Sequence, residues 1–248
     1  IVHGADSETF HGKPMTLQFF SDHMDYETCL WVDEDTATQG FLEWAESLPH
    51  QCLHVVYCHN LDFDLPEFLW SVKEDLITLG GDFYIEIDGW ILRGVYGRPT
   101  FCKMTNRSKN ISILIVDSVL WFQGSLAQAA KLFCPDLPKL KRPKNLGSVK
   151  FKMHDDEFYA YAMRDAEVAF HIGVHVQKLI TDFDIMQPVS LSDMSAKIFR
   201  HHFVKRTIPQ PSRNLQMGSL SSYHGGKNNV VEGAAPSWHM NVTGMDIS

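Results

Sequence analysis

The sequence LHVVYCHNLDFD, residues 53–64, decides the fold prediction. Its first part, Leu53 to Tyr57, is an apolar run of strand length, and a helix is predicted from Leu65 to Leu79. The polar residues between the two therefore lie at the carboxyl end of a strand. In open α/β sheets ligands bind at that end, so we predict a functional site at this loop.

Further strands and helices are predicted on both sides of this segment. A short apolar opening is expected to end at residues 4–6, and other strand-length runs lie at 15–20, 29–32, 100–104 and 111–116. The runs FYIEI and WILRGVY flank Asp88-Gly89, a pair that takes the positive φ angles of a tight hairpin turn. Helices are predicted at 39–48 and 156–182. This pattern predicts an α/β fold, a mixed sheet flanked by helices.

The composition excludes several classes of protein. Of 248 residues 44% are hydrophobic, which is enough for a core and excludes a disordered chain. The longest apolar run, 111–122, is interrupted by Asp117 and Ser118, so no membrane partner is expected. Five cysteines without a CxxC pair favour a reducing, cytoplasmic compartment. The net charge of -8 by itself argues against a polyanionic partner.

Four carboxylates and one phenol form the candidate site. The Asp-x-Glu pattern occurs four times, but Asp6 and Glu8 lie at the predicted end of a strand, where alternation places them on one face. Asp64 follows the strand at 53–57, and Tyr161 and Asp165 share a helix face at a spacing of four. Taken singly, each is better explained as a solvated strand end, a turn or a surface acid. Together they supply the oxygen ligands that two hard cations about 3.5 to 4 Å apart require.

The order of these residues resembles a known set of motifs. Asp6-x-Glu8, Asn60-x-x-x-Asp64 and Tyr161-x-x-x-Asp165 are similar to the Exo I, Exo II and Exo III motifs of DEDDy 3′-5′ exonucleases, which have a ribonuclease H-like fold. More narrowly, the chain resembles the exonuclease domain of family B DNA polymerases, especially the protein-primed group of bacteriophages and linear plasmids. The resemblance implies a replication protein encoded by a phage, plasmid or virus, which proofreads by hydrolysing single-stranded DNA 3′ ends to nucleoside monophosphates.

The resemblance also implies roles for individual residues. Two Mg²⁺ or Mn²⁺ ions would be held by Asp6, Glu8, Asp64 and Asp165, with Tyr161 orienting the attacking water. The implied DNA contacts are Thr9, Tyr57, His59, Asn60, Phe63, Ser118 and Val119, the last where the family has Leu. The catalytic-site lysine maps to Lys139, but Arg142 occupies the hydrophobic position of its motif, which leaves Lys141 as the alternative.

The C-terminal part resembles the start of a polymerase domain. Tyr223, Gly225 and Gly226 match the YxGG motif, which contacts template DNA, and Met245-Asp246-Ile247-Ser248 resembles the opening of polymerase motif A. Asp246 would then be a metal ligand of the polymerase site. We therefore predict an exonuclease domain at 1–206, and a linker with a truncated palm at 207–248. The partners implied are primer-template DNA and a terminal protein primer, and the missing initial Met predicts a piece of a longer polypeptide.

Two questions stay open at the level of sequence. The run at 139–152 contains basic residues and no acidic ones, and it is either a solvated loop or a segment that binds the DNA backbone. The alternatives to a polymerase exonuclease are a free-standing DEDDy exoribonuclease and a non-catalytic module that only binds single strands. The motifs at 223–248 argue against the first alternative, and the complete set of carboxylates argues against the second.

Overall fold

The computed structural model describes residues 1–22, 26–97, 99–141, 143 and 156–204. The chain divides into two units, Ile1–Phe203 and Val204–Ser248, and the fold below is that of the first. The domain boundary near residue 206 stays a prediction. No helix in the described part of the chain combines the length and the apolar character that crossing a bilayer requires.

One eight-stranded mixed sheet organises the described residues. Its strands are β1 (Val2–Phe10), β2 (Lys13–Ser21), β3 (Tyr26–Trp31), β4 (Leu53–Cys58), β5 (Gly81–Ile87), β6 (Trp90–Tyr96), β7 (Phe101–Asn106) and β8 (Ile111–Asp117). Their order across the sheet is β3-β2-β1-β4-β8-β7-β6-β5. The pairs β1/β4 and β4/β8 are parallel, and the other neighbours are antiparallel. The three parallel strands therefore end at the same edge.

Helices pack on both faces of the sheet, as predicted. They are α1 (Ala37–Ser47), α2 (Leu61–Phe68), α3 (Lys73–Leu79), α4 (Leu126–Phe133), α5 (Asp156–Asp182) and α6 (Leu191–His202), with 3-10 turns at Trp70–Val72 and Ser118–Leu120. One core cluster joins the sheet to α1, α2 and α3, and a second joins its other face to α4 and α5. The α/β prediction is confirmed, and α5 has the predicted bounds.

Two predicted elements differ from the structure. The first strand continues past residue 6 to Phe10, because His11 and Gly12 take positive φ angles of 54° and 74° and turn the chain directly into β2. The helix predicted at 65–79 begins instead at Leu61 and is interrupted at Leu69, where φ is -113° and ψ is 43°. The interruption redirects the chain so that Leu76 of α3 is buried in the same core as α2.

Two glycines fix α5 against the sheet. A Cβ atom on Gly4 of β1 would lie 1.9 Å from the carbonyl oxygen of Ala166 and 2.4 Å from the nitrogen of Phe170. A Cβ atom on Gly173 of α5 would lie 2.4 Å from the Tyr57 ring of β4. Both positions require glycine because helix and strand approach each other more closely than a side chain permits.

Candidate active site

The candidate site lies where β1 extends beyond its parallel neighbour. β1 pairs with β4 only through Val2, His3 and Gly4, whereas it pairs with β2 from Gly4 to Phe10. Gly4 faces α5, so alternation places Asp6 and Glu8 on the same face. Ser7 points to the other face, where its Oγ donates a hydrogen bond of 2.6 Å to Oδ1 of Asp64 in α2. β1 thereby brings acidic groups from both faces of the sheet to the edge where the parallel strands end.

Asp165 completes this group from α5. Its carboxylate is 5% exposed, and Nζ of Lys139 lies 2.8 Å from its Oδ2. Arg164 donates from Nη1 to the Pro138 carbonyl at 3.1 Å, which holds the segment carrying Lys139 against α5. The other oxygen, Oδ1 of Asp165, is buried and has no hydrogen-bond partner among the described residues. A buried carboxylate oxygen without a partner is costly, so this oxygen is suited by its chemistry to accept a cation.

Burial and mutual repulsion raise the pKa values of the carboxyl groups in the site. The pKa of Asp6 is raised well above its usual value by burial, and further by Asp64, Asp165 and Glu8, with Lys139 opposing the shift. Burial also raises the pKa of Asp64, although the hydrogen bond from Ser7 opposes it. Burial raises the pKa of Asp165, and Lys139 opposes it. A site that crowds carboxylates in this way gains stability from an added cation.

The residues fit a hard cation by their chemistry. They supply carboxylate oxygens, excess negative charge and the unpartnered Oδ1 of Asp165, which are the features that Mg²⁺ and Mn²⁺ sites need. Within the described residues, however, no three His, Cys, Asp or Glu side chains are gathered closely enough to form a ready metal site. Lys139 holds one oxygen of Asp165 instead.

Asp117 is a site residue that the sequence analysis missed. It ends β8, is buried, and its Oδ1 accepts hydrogen bonds from the backbone nitrogens of Asn60 at 3.0 Å and Val119 at 2.9 Å. The bond to Asn60 holds that residue in the left-handed conformation, with φ 84° and ψ 58°, that starts α2. The available signal was an acidic residue interrupting an apolar strand. Asp117 therefore ties the loop after β4 to the turn after β8.

His59 is fixed by two hydrogen bonds across the same loops. Its Nε2 lies 3.1 Å from the Gly124 carbonyl, so Nε2 donates, and Nδ1 accepts from the Ser118 hydroxyl at 2.8 Å. Burial lowers the pKa of His59, which favours the neutral ring that this pattern requires. Ser118 is itself fully buried, and its hydroxyl positions His59. Its predicted contact with DNA stays a prediction.

The residues predicted to contact single-stranded DNA differ in how exposed their side chains are. Phe63 is 45% exposed beside the loop, and its ring is free to stack. Tyr57 is 0% exposed, packs against Gly173, and its hydroxyl accepts a 3.0 Å hydrogen bond from Gln177 Nε2. The ring of Tyr57 is therefore part of the core, and its predicted stacking on a base stays a prediction. Thr9 and Val119 are half-buried at the edge that holds the carboxylates.

The two candidate lysines are distinguished by position. Lys139 pairs with Asp165, whereas Lys141 is exposed. Arg142 and the basic residues at 144–152 lie outside the described residues. The same holds for the C-terminal candidates Tyr223, Gly225, Gly226 and Asp246.

Comparison with solved structures identifies the fold. The structure is similar to "Phi29 DNA polymerase complexed with single-stranded DNA", with a TM-score of 0.57 and 16% identity over 91% of this chain and 40% of that chain. The chain shares its fold with part of Phi29 DNA polymerase. An orthorhombic crystal form of that polymerase gives a TM-score of 0.58 at 17% identity, over 91% of this chain and 39% of that one.

A complex of the same polymerase with primer-template DNA gives a TM-score of 0.56 at 16% identity. The chain thus spans about 40% of the length of the Phi29 DNA polymerase chains that it matches. No protein-family model matches the sequence. Comparison with curated protein sequences gives no significant match either.

Proposed function

We propose that the chain is the proofreading 3′-5′ exonuclease portion of a family B DNA polymerase, with a ribonuclease H-like DEDDy fold. The observation that carries the proposal is that four carboxylates from β1, α2 and α5 meet at the edge where the parallel strands end, where burial raises the pKa of Asp6 and Asp64, Asp165 and Glu8 raise it further. The shared fold with a polymerase whose solved complexes contain single-stranded and primer-template DNA supports the choice of substrate.

Asp6, Glu8, Asp64 and Asp165 are the residues that would hold two Mg²⁺ or Mn²⁺ ions. When bound, such ions polarise a phosphoryl oxygen and lower the pKa of bound water towards neutrality. Ser7 orients Asp64 and opposes the burial that raises its pKa, because a hydroxyl that donates to a carboxylate stabilises the charged form. The unpartnered Oδ1 of Asp165 is the ligand atom that the protein leaves available.

Two further side chains act on the substrate in this proposal. Lys139 is held at the site by Asp165 and neutralises charge that builds on the scissile phosphate. Tyr161 is buried one helical turn before Asp165, where it orients the attacking water. Its reference pKa of about 10 makes it a poor base near neutral pH.

The exposed residues of the loop after β4 would hold the unpaired 3′ end. Phe63 presents a free ring for stacking, which contributes about 1 to 3 kcal/mol per base without reading sequence. Polar and steric contacts around the 3′ end would come from Thr9, His59, Asn60 and Val119. Template contacts by the YxGG residues, metal binding by Asp246 and a terminal protein primer stay predictions.

The test is release of mononucleotides from a 3′-labelled single strand by the pure protein. We expect degradation with Mg²⁺ or Mn²⁺ and none with EDTA, because the carboxylates alone supply no electrophile. A matched RNA strand degraded as fast as DNA would favour the free-standing exoribonuclease. Binding without any degradation would contradict the enzyme and leave the non-catalytic single-strand-binding module.

A further inference from the structure

A cleft lined by cations lies at the amino ends of β4 and β8, at the opposite end of these strands from the carboxylates. Two adjoining cavities, of about 430 Å³ and about 270 Å³, share Lys103, Asn110 and Ser112 in their walls. We name this the basic cleft, and its other polar walls include Gln51, Arg93 and Arg107. No carboxylate lines either cavity.

Among the described residues, no carboxylate forms an ion pair with the cations of the basic cleft. Arg93 of β6 and Lys103 of β7 are directly opposite each other, and neither they nor Arg107 form an ion pair with any described residue. Like charges directly opposite on neighbouring strands destabilise a sheet. Nearby Glu86 accepts a hydrogen bond from Tyr84, and Lys109 pairs with Glu46. The arrangement therefore stores a repulsion that an external anion would relieve.

The shape of the cleft favours an extended anion over a small one. Its three cations come from two neighbouring strands and the turn after β7, and all are exposed, so they are spread over an open surface. A single phosphate would instead need donors that converge on one point. Ser112 and Asp117 lie five residues apart on β8, so the cleft is about 17 Å from the candidate active site along the strand.

We propose that the basic cleft is a second contact site for nucleic acid, which binds the phosphodiester backbone of the strand whose 3′ end enters the candidate active site. The choice of polyanion rests on the proposed function, because a strand held at its 3′ end must leave that site along the protein surface. Cations that displace condensed counterions from phosphates supply affinity without reading sequence. The cleft adds affinity only for strands long enough to reach it.

The test measures DNA binding in EDTA, so that cleavage plays no part. The variant is Arg93→Gln with Lys103→Gln, and the matched control is Lys178→Gln with Arg200→Gln, which removes the same charges from exposed helix positions. For a strand of about 30 nucleotides we expect the cleft variant to bind about tenfold more weakly than the control, and its plot of log K against log salt to be shallower by about 1.4. A trinucleotide should bind both variants equally.

Other outcomes overturn the inference. Equal affinity of the cleft and control variants for the long strand would exclude the contact, and an equal loss for the trinucleotide or for inorganic pyrophosphate would indicate a small-anion site. The proposed exonuclease function would be contradicted separately from the cleft proposal. In that case Mg²⁺ gives no cleavage, while the cleft variant still loses affinity for the long strand. Circular dichroism of both variants shows that the fold is kept.

Discussion

The ammonium nitrogen of Lys139 lies 2.8 Å from Oδ2 of Asp165, and it brings a cation to a carboxylate that is 5% exposed. The pair joins α5 to a segment that follows α4. It favours Lys139 over Lys141 for the proposed catalytic role, which stays a prediction, because Lys141 is exposed.

Replacing Lys139 should therefore affect cleavage far more than replacing Lys141. We expect Lys139→Met to lower kcat by about 100-fold or more, which is the usual cost of removing one group that stabilises developing charge. Lys141→Met should change kcat by less than about twofold, as exposed charges contribute little. Single-turnover cleavage of a 3′-labelled strand measures both. Equal losses in the two variants would remove Lys139 from the site.

Removing two carboxylates of β1 should separate binding from cleavage. Asp6→Ala with Glu8→Ala takes away half of the proposed ligand set, so we expect no detectable degradation with Mg²⁺ and nearly unchanged binding of single strands. Anisotropy in EDTA and release of mononucleotides in Mg²⁺ measure the two properties. If the double variant trims DNA at the parental rate, the metal site is misplaced.

Tyr161 should contribute to the chemical step more than to binding. Tyr161→Phe keeps the ring in the core but removes the hydroxyl, so kcat should fall by about tenfold to 100-fold while Kd for the strand stays the same. Single-turnover rates at saturating protein, compared with Kd in EDTA, distinguish these effects. A proportional loss in both would refute a water-orienting role.

Adding a side chain where β1 contacts α5 should lower both the stability of the protein and its cleavage activity. Gly4→Ala places a Cβ atom 1.9 Å from the Ala166 carbonyl, and overpacking of this kind costs about 1 to 3 kcal/mol or more. Cleavage should fall together with Tm, because Asp165 moves with α5.

Gly40→Ala is the matched control for this substitution. Its Cβ atom would lie 3.5 Å from Val32 Cγ1, an ordinary contact, and Ala stabilises a helix interior by about 0.5 to 1 kcal/mol relative to Gly. Urea unfolding measures both variants. A Gly4→Ala protein as stable and active as the parent would show that helix and strand are not in close contact.

Tyr57 should make the fold sensitive to alkali. Burial raises its pKa to about 12, against about 10 in an unfolded chain. Because the folded value is the higher one, the contribution of the neutral phenol to stability is complete below pH of about 10 and is lost as the pH rises towards about 12. The free energy of unfolding should fall by up to about 3 kcal/mol over this range.

Tyr57→Phe tests this assignment because it removes the ionisable group and keeps the ring. Gln177 retains its 2.7 Å hydrogen bond to Gln187 in that variant. Urea unfolding at several pH values should give a shallower decline for the variant than for the parent. Parallel declines would assign the alkaline sensitivity to other buried groups, such as the Cys29 thiol, whose pKa burial raises to about 11.

Local periodicity predicted the parts of the site that lie on one element. A spacing of two along β1 placed Asp6 and Glu8 together, and a spacing of four placed Tyr161 beside Asp165 on α5. These predictions need only the geometry of one strand or one helix. The mixed sheet followed from the alternation of apolar runs with helical segments in the same way.

Contacts between distant segments could not be predicted in this way. Tyr57 precedes a polar loop, and its burial depends on Gly173, which is 116 residues away in the chain. Asp117 bonds to Asn60 across 57 residues, and nothing in either local sequence specifies the other. Strand order brings these pairs together, and strand order is set by the whole sheet.

Gly4 and Gly173 have a consequence for anyone who transplants this centre into another scaffold. Each glycine contributes by lacking a side chain, and together they set how closely the helix bearing Asp165 approaches the strands. A graft that copies every acidic residue but has alanine at these two positions would hold the helix, and with it Asp165, too far from the strands. A search template for related centres should therefore include these two empty positions beside the reactive groups.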